Sequence, residues 1–427
     1  MVRLEENKSF TEGKPIEALP IPSTVYIPIA QHLGKPCDKI EVKPGDQVLR
    51  GQRLAHAEAK IHAPIHSSVS GKVTAIQDWP HPVHGSSKTI IIESDGLDKP
   101  INQKEIKTSE QANKLTPEQI RDIVFVSGIV GLGGAAFPTH IKLNPPKPVD
   151  TLIVNIAECE PYLTSDSALV IEKTDEILKG IELVMKCLSA TEVIIAIEDN
   201  KPESIKALQN SIRDTQYSIR ILKSQYPQGG EKQLIKNILG KEVPRGKLPF
   251  DAGVNVQNVA TIYAIYEAVY KNKPLYERVV TVTGSIITKP KNLLVRIGTP
   301  IKELIDFCAP LIEPIAKIIA GGPMMGLAQY TDTVPVIKCT SGILLFSRKE
   351  ARMLEENVCI RCGACVRECP VGLMPCLINL VSLKNLWPET KEYGAMDCIE
   401  CGICSYVCPS NRNLVQSIKR AKFELNR

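Results

Sequence analysis

No stretch of this 427-residue chain is apolar for long enough to cross a bilayer, and its start carries no secretory signal. Both absences point to a soluble protein in a reducing compartment, where disulfides are not expected of its 14 cysteines. Charge of neither sign is in large excess: 52 basic and 47 acidic residues give a formal net charge of +5. Strong non-specific attraction to nucleic acid is therefore not indicated. The composition, 43% hydrophobic and 23% charged, is that of an ordinary globular protein, and at ~150 residues per domain the length suggests about three units. Only Lys419-Arg420-Ala421-Lys422 is locally basic. Such a run is a solvated helix end favoured by the dipole or a contact for an acidic partner or lipid headgroups.

What the chain does have is a doubled cysteine spacing near its end. Cys359-Ile-Arg-Cys362-Gly-Ala-Cys365-Val-Arg-Glu-Cys369-Pro370 and Cys398-Ile-Glu-Cys401-Gly-Ile-Cys404-Ser-Tyr-Val-Cys408-Pro409 both read C-x2-C-x2-C-x3-C-P. That run wraps a [4Fe–4S] cubane in two-cluster bacterial ferredoxins, where the fourth cysteine of each run ligates the other cluster. The expected sets are Cys359, Cys362, Cys365 and Cys408 for one cluster, and Cys398, Cys401, Cys404 and Cys369 for the other. Structural zinc fits poorly, since it needs four ligands and usually two C-x2-C pairs. Two oxidised cubanes, each about −2 with its thiolates, lower the net charge to roughly +1. Cys376 follows the first motif and, with Cys37, Cys159, Cys187, Cys308 and Cys339, is expected to be a reduced free thiol.

A ferredoxin module needs far fewer residues than this, so the rest must feed or drain the clusters. Five segments are expected: 1–95, a linker over 96–118, then 119–275, 276–348 and 349–427. Within 24–95, Val42-Lys-Pro-Gly45-Asp-Gln-Val48 and Ala63-Pro-Ile-His66-Ser-Ser-Val69-Ser-Gly71-Lys-Val73 read as strand–turn–strand. This pattern resembles the lipoyl-type barrel sandwich, without the modified lysine hairpin of a working carrier. His56, His62, His66, His81 and His84 fall here at spacings that match no compact ligand set, so surface or hairpin histidines are expected.

In the third segment, 123–127, 151–157, 193–197 and 219–222 read as strands, and 167–188, 202–213, 230–239 and 255–270 as helices. Such alternation implies a parallel sheet covered on both faces. The fourth segment returns to strands at 278–283, 292–297 and 342–346, with Thr299-Pro300 opening a helix over 301–308. A helical insertion at 377–386 separates the two cysteine motifs.

Gly131, Gly133 and Ala136 formally satisfy a G-x-G-x-x-A dinucleotide fingerprint after an apparent strand, although Pro138 falls where its helix should run. A plain tight turn is the alternative. Glycines let the backbone approach a phosphate or an isoalloxazine ring, and Lys142 can add charge. Asn155-Ile-Ala-Glu158-Cys-Glu160-Pro161 sits at the C-terminal end of the next strand, the edge where open α/β sheets bind ligands.

The strings SGIVGLGGAAFPTHIKL, NIAECEPYLTSD, YPQGGEKQLI, VQNVATIYAIYEAV, RVVTVTG and GGPMMG, followed by the two cysteine motifs, resemble the C subunit of the Rnf electron-transport complex. The resemblance runs over nearly the whole chain in the same order. The middle is also similar to the flavoprotein subunit of respiratory NADH dehydrogenase. It implies an α/β multidomain chain: a barrel-sandwich β domain, a Rossmann-like α/β domain for FMN and NADH, a soluble-ligand-binding β-grasp domain and a two-cluster ferredoxin-like α domain. Gly131, Gly133, Gly134 and Lys142 would line FMN, Asn155 and Glu158 its ribityl or phosphate region, and Asn258 and Thr261 its phosphate side. Phe137, Glu160 and Glu231 would face NADH, with Glu160 and Glu231 as the catalytic pair. Three residues depart from the pattern: Leu132 stands for an arginine, Ala157 for an aspartate and Ala136 for a glycine. A Gly-Gly-His-Pro-Pro opening is absent near residue 13.

The resemblance implies a ferredoxin:NAD+ oxidoreductase component, peripheral on the cytoplasmic side of a membrane complex that moves Na+ or H+. Electrons would pass between NADH, FMN, the two clusters and, through membrane subunits, ferredoxin. Two rivals share the motifs: an electron donor to a cobalamin or amino-acid reductase, and a cluster-only adaptor that binds no nucleotide.

Overall fold

A computed structural model describes residues 2–101, 107–213, 215–352 and 354–426. Residues 2–18, expected from the sequence to belong to the barrel, run instead across the later units. Strand β1 (Ile16–Ala18) pairs in parallel with the strand Lys291–Arg296. Val2 bridges Tyr226, and the Tyr162 N–H donates to the Glu6 carbonyl at 2.7 Å. Lys8 is buried, and its ammonium donates to the carbonyls of Glu158, Glu160 and Leu163 at 2.7, 3.0 and 2.6 Å. Burial and the nearby Lys201 hold the Lys8 pKa below the ordinary lysine value, against Glu158, Glu198 and Cys159.

The barrel follows with β2 (Thr24–Pro28), β3 (Lys39–Ile40), β4 (Gln47–Val48), β5 (Arg53–His56), β6 (Ile65–His66), β7 (Gly71–His81) and β8 (Gly85–Ser94). They form one sheet in the order β2-β8-β7-β4 and a second in the order β3-β5-β6, closed over Val25, Ile27, Leu54, Val73, Ile90 and Ile92. His66 and His81 are buried rather than on the surface. The small barrel has few side chains to spare for its interior, and His81 is satisfied there by the Ala30 carbonyl at 2.8 Å.

The expected linker contains α1 (Ser109–Asn113) and the start of α2 (Pro117–Val126); positions 102–106 of it lie outside the described residues. Thr108 with Gln111, and Thr116 with Gln119, form capping boxes, and Pro117 takes the first turn of α2. The run 123–127, read from its apolar residues as a strand, is therefore the end of a helix that buries Ile120 and Val124.

After the short α3 (Thr139–Lys142) comes the sheet that positions the site. Its elements are β9 (Thr151–Ile156), α4 (Ser165–Leu188), β10 (Glu192–Glu198), α5 (Pro202–Ser211), β11 (Ser218–Leu222), α6 (Glu231–Leu239), β12 (Val254–Asn258) and α7 (Val259–Lys271). All four strands are parallel in the order β11-β10-β9-β12. Helices α4 and α7 cover one face through Ile177, Ile181, Ile262 and Ile265, and α6 covers the other through Leu234 and Ile235. The stretch 255–258, read as helix, is strand: its buried Asn255 and Gln257 are satisfied by side-chain bonds, Asn255 to the Lys142 carbonyl and Gln257 to Asn255.

The fourth unit contains β13 (Glu277–Thr283), β14 (Lys291–Arg296), α8 (Ile301–Phe307), β15 (Lys317–Ala320), β16 (Leu327–Gln329) and β17 (Gly342–Phe346). Its sheet runs β1-β14-β13-β17-β15-β16, so the N-terminal strand completes it. Thr299 does not cap α8; its hydroxyl donates to the Arg296 carbonyl, and Pro300 alone opens the helix. The last unit is helical, with α9 (Ala364–Arg367), α10 (Pro375–Leu383), α11 (Trp387–Glu392), α12 (Ile403–Tyr406) and α13 (Leu414–Leu425). The basic run on α13 is not simply solvated: Lys422 pairs with Glu400 and donates to the Cys398 carbonyl at 3.1 Å, folding over the second cysteine loop.

Lys8→Met should strip three buried carbonyls of their donor, at roughly 1–3 kcal/mol for each one left unsatisfied. Calorimetry should record a melting temperature several degrees lower; an unchanged transition would mean that the N-terminal segment does not hold the carboxylate loop.

Candidate functional site

Strand order reverses between β9 and β12, which makes their C-terminal ends the topological switch point of the sheet. Asn155, last but one in β9, and Asn258, last in β12, are partners in register. Asn155 donates to the Gly229 carbonyl at 2.9 Å and accepts from the Ala157 N–H at 3.0 Å. Asn258 caps α7 by accepting from the N–H groups of Ala260 and Thr261, and donates to Asp166 at 2.6 Å.

The glycine segment arches over this edge. It is not a dinucleotide fingerprint: a helix precedes it rather than a strand, and only the four-residue α3 follows Pro138. It closes on itself instead. The Gly131 N–H donates to the Phe137 carbonyl at 2.8 Å, the Ala136 N–H to the Gly131 carbonyl at 3.1 Å, and the Leu132 N–H to the buried Thr261 hydroxyl at 2.9 Å. Ala136 holds a left-handed φ of 49°, a conformation that favours glycine. Gly133, Gly134 and Ala135 remain exposed at the tip. A Cβ on Gly133 would come within 3.2 Å of Asn258, so the tip lies directly beside the switch point.

The remaining expected residues divide into two groups. Lys142 pairs with Glu231 at the start of α6, and Phe137 is half-buried. Glu158 is buried and taken up as a cap of α4, accepting from the Ser165 hydroxyl at 3.1 Å and from the N–H groups of Asp166 and Ser167 at 3.0 and 3.4 Å. Thr261 is likewise occupied in pinning the glycine loop. Glu160, expected to face NADH, has both carboxylate oxygens bound by the Met324 and Met325 N–H groups at 3.0 and 2.8 Å. Burial pushes its carboxyl up to about 7, against those two donors and Lys8. A Cβ on Gly322 would sit 2.2 Å from Glu160, so the Gly-Gly opening of the 321–326 loop is what admits the carboxylate.

That same loop meets the second cysteine motif. A Cβ on Gly402 would come within 2.9 Å of the Met324 carbonyl, and the Tyr226 hydroxyl donates to the Cys401 carbonyl at 2.8 Å. Tyr226, Cys401 and Ile403 form one apolar cluster with Cys159 and Met324 against it. Sequence reasoning missed Tyr226, Met324, Lys8 and the buried Arg278, whose guanidinium donates to the carbonyls of Leu132 and Lys338. Tyr226 and Met324 stand inside recognised motifs and Lys8 in an unremarkable terminus, and only the fold shows what they touch.

Cys369, Cys398, Cys401 and Cys404 line one small cavity. Burial pushes the Cys401 thiol up to about 11 and Cys404 up to about 12, and in both Cys398 and Cys369 add to the rise. The Glu400 N–H donates to Cys398 sulfur and the Leu373 N–H to Cys369 sulfur, each at 3.3 Å. Four convergent sulfurs with N–H donors behind them fit a cubane. In the other set Cys365 is buried beside Cys408 and Cys376, while Cys359 and Cys362 are exposed. The tip of the glycine loop, free of side chains at the switch point, fits a flavin nucleotide.

Compared with known families, residues 2–97 match the RnfC barrel sandwich hybrid domain and 124–267 the Nuo51 FMN-binding domain. Residues 279–328 match the SLBB domain and 358–412 a 4Fe-4S dicluster domain. The chain is 45% identical over 426 residues to the C subunit of the proton-translocating ferredoxin:NAD(+) oxidoreductase complex of Clostridium ljungdahlii, covering 99% of this chain and 93% of that one. It is 44% identical to the Na(+)-translocating counterpart of Acetobacterium woodii, over 95% and 91% of the two chains. Among solved structures, an NAD+-reducing [NiFe]-hydrogenase in the H2-reduced state aligns with a TM-score of 0.53 at 18% identity, over 74% of this chain and 61% of that chain, a likeness of fold.

Cys369→Ser should damage the cluster held by Cys398, Cys401 and Cys404, because the fourth ligands cross between motifs. Electron paramagnetic resonance of the reduced variant checks this; loss of the cluster at Cys359 instead would reverse the pairing.

Proposed function

Since the chain belongs to the RnfC family, the C subunits of ion-translocating ferredoxin:NAD(+) oxidoreductase complexes, we propose that its glycine-loop edge is where NADH and FMN meet and that its second cysteine motif is where electrons leave that edge. The chain is an electron-transferring subunit with FMN and two [4Fe–4S] clusters, working with other subunits of a membrane complex. No described helix is long and apolar enough to cross a membrane, which fits a peripheral position. The cytoplasmic face is the side on which NADH is found, and it is the side proposed for the docked chain.

FMN, when bound, turns the electron pair of a hydride into single-electron deliveries. The chain's residues supply position. Gly133, Gly134 and Ala135 offer backbone without side chains, and Asn155 and Asn258 fix the strand ends beneath them. Phe137, Lys142 and Glu231 are the residues proposed to meet the dinucleotide, Lys142 and Glu231 being paired with each other. Glu160 is assigned to the joint with the 321–326 loop, holding the acceptor side at a fixed distance from the nucleotide side. The proposed division of labour follows the units: a barrel in 1–95, whose first residues reach the later units, then 96–118 connection, 119–275 nucleotide binding, 276–348 β-grasp and 349–427 clusters.

The observation that carries this reading is the Tyr226–Cys401 bond, which docks the second motif onto the sheet that bears the switch point. The cluster of Cys369, Cys398, Cys401 and Cys404 is thus the entry cluster. The other stands beside exposed Val358 and Ile360, 83% and 67% accessible, and is the one placed to hand electrons to another protein of the complex.

Anaerobically purified protein should hold about eight iron atoms per chain, and its flavin absorbance should bleach on adding NADH. Iron and sulfide without flavin, or flavin that NADH leaves oxidised, would favour the cluster-only adaptor.

A further inference from the structure

Behind the glycine loop, between α4, α7 and β13, lies a cavity that leaves ≈ 30 Å³ for the centres of water molecules, enough for about two. Leu132, Asp166, Tyr263, Glu267, Glu277 and Arg278 line it. Three of these are carboxylic acids, and two are fully engaged with cations. Glu267 pairs with Lys273 at 2.8 Å, and Glu277 pairs with Lys273 at 2.6 Å and Arg296 at 3.3 Å. Asp166 differs. Its carboxyl receives the neutral Asn258 amide at 2.6 Å, and among the described residues it makes no ion pair. Arg278 faces it but spends its guanidinium on the carbonyls of Val279, Lys338 and Leu132. Glu158 faces it too, and holds the three donors at the start of α4, including the Asp166 N–H itself.

The groups around Asp166 are therefore Glu158 on the loop after β9, Asn258 at the end of β12, Arg278 on β13 and Lys201 at the start of α5. Burial first and Glu158 second push its carboxyl up to about 7, against Asn258, Arg278 and Lys201. Beside Asn258 lie the exposed residues Gly133, Gly134 and Ala135. Successive backbone N–H groups of this kind make an anion-binding concavity, and the anion of FMN is its phosphate.

We propose that Asp166 must be a neutral acid for the phosphate of FMN to be held at the glycine loop, so that this one carboxyl sets how tightly the phosphorylated flavin is retained. The proposal rests on the flavin site described above. A phosphate beside Asn258 meets no charge from Asp166 while that carboxyl keeps its proton. Once Asp166 ionises, its charge reaches the phosphate through the Asn258 amide bonded to it, and the affinity falls. The direction follows from the raised value: binding is full below neutrality and weakens as the pH climbs past it. The second ionisation of the phosphate, with a pKa of about 6, is largely over above pH 7, where the slope is read.

The test uses the full chain with both clusters, stripped of flavin and titrated with FMN between pH 6.5 and 8.5 by quenching of flavin fluorescence. The dissociation constant should rise by up to about tenfold for each pH unit above neutrality, as loss of one proton requires. Asp166→Asn should remove that slope and keep FMN bound at the alkaline end. Riboflavin, which lacks the phosphate, should bind with no such slope to either protein. Calorimetric titration of the unsubstituted chain in two buffers of different ionisation heat should show about one proton taken up with FMN near pH 8. A flat FMN profile, a slope that survives in Asp166→Asn, or the same slope with riboflavin would overturn the proposal while leaving the flavin site intact. Failure to bind FMN at every pH would remove the site itself.

Discussion

One partly buried carboxylate joins the working parts of this chain. Glu160 lies in the loop after the first strand of the nucleotide sheet, and its two oxygens take the N–H groups of Met324 and Met325 from the β-grasp unit. The Lys8 ammonium closes the underside through three carbonyls of the same loop. Buried polar groups are costly unless satisfied, so each partner fixes the position of the next. The second cysteine loop then has one place to sit, against Met324 and under the Tyr226 hydroxyl. The distance from nucleotide to cluster is set by this joint, since no single unit contains both.

Charge is arranged around the joint by the same logic. Among the described residues Lys8 has carbonyls but no carboxylate bonded to it, Glu198 and Lys201 pair at 2.8 Å in the interior, and Glu158 is held by helix N–H groups. A second network ties the barrel to the middle units: Asp98 meets Arg50 and Arg296, which reaches Glu277, with Tyr276 beneath Arg50, Lys273 and Arg296. Such fixed charges hold domains in register and leave the exposed glycine tip as the part free to meet a ligand.

The cluster ligands are legible in the sequence because a cubane loop is local: four cysteines and a proline within twelve positions state the chemistry outright. The parallel sheet is legible through the β-branched runs of β9 and β10. Where sequence and structure part, a non-local or capping term decides. The Ile-Val-Phe-Val run near residue 123 looks like a strand, yet Thr116, Pro117 and Gln119 start a helix that carries it. The Asn-Val-Gln-Asn run at 255–258 looks unlike a strand because its polar side chains find partners only in the folded chain. No pattern near Lys8 hints at its three acceptors some 150 residues away. Tyr226 and Cys401 are 175 positions apart. The glycine loop stands out in the sequence, but its fingerprint needs a strand before it, and the structure supplies a helix.

The central claim is an order, in which the cluster docked on the nucleotide unit fills before the exposed one. Rapid freeze-quench electron paramagnetic resonance after mixing anaerobic protein with NADH measures it, with the two signals assigned from cysteine-to-serine variants of each motif. The account predicts that the signal of the cluster at Cys369, Cys398, Cys401 and Cys404 rises first. Earlier reduction of the cluster at Cys359, Cys362, Cys365 and Cys408 would contradict it.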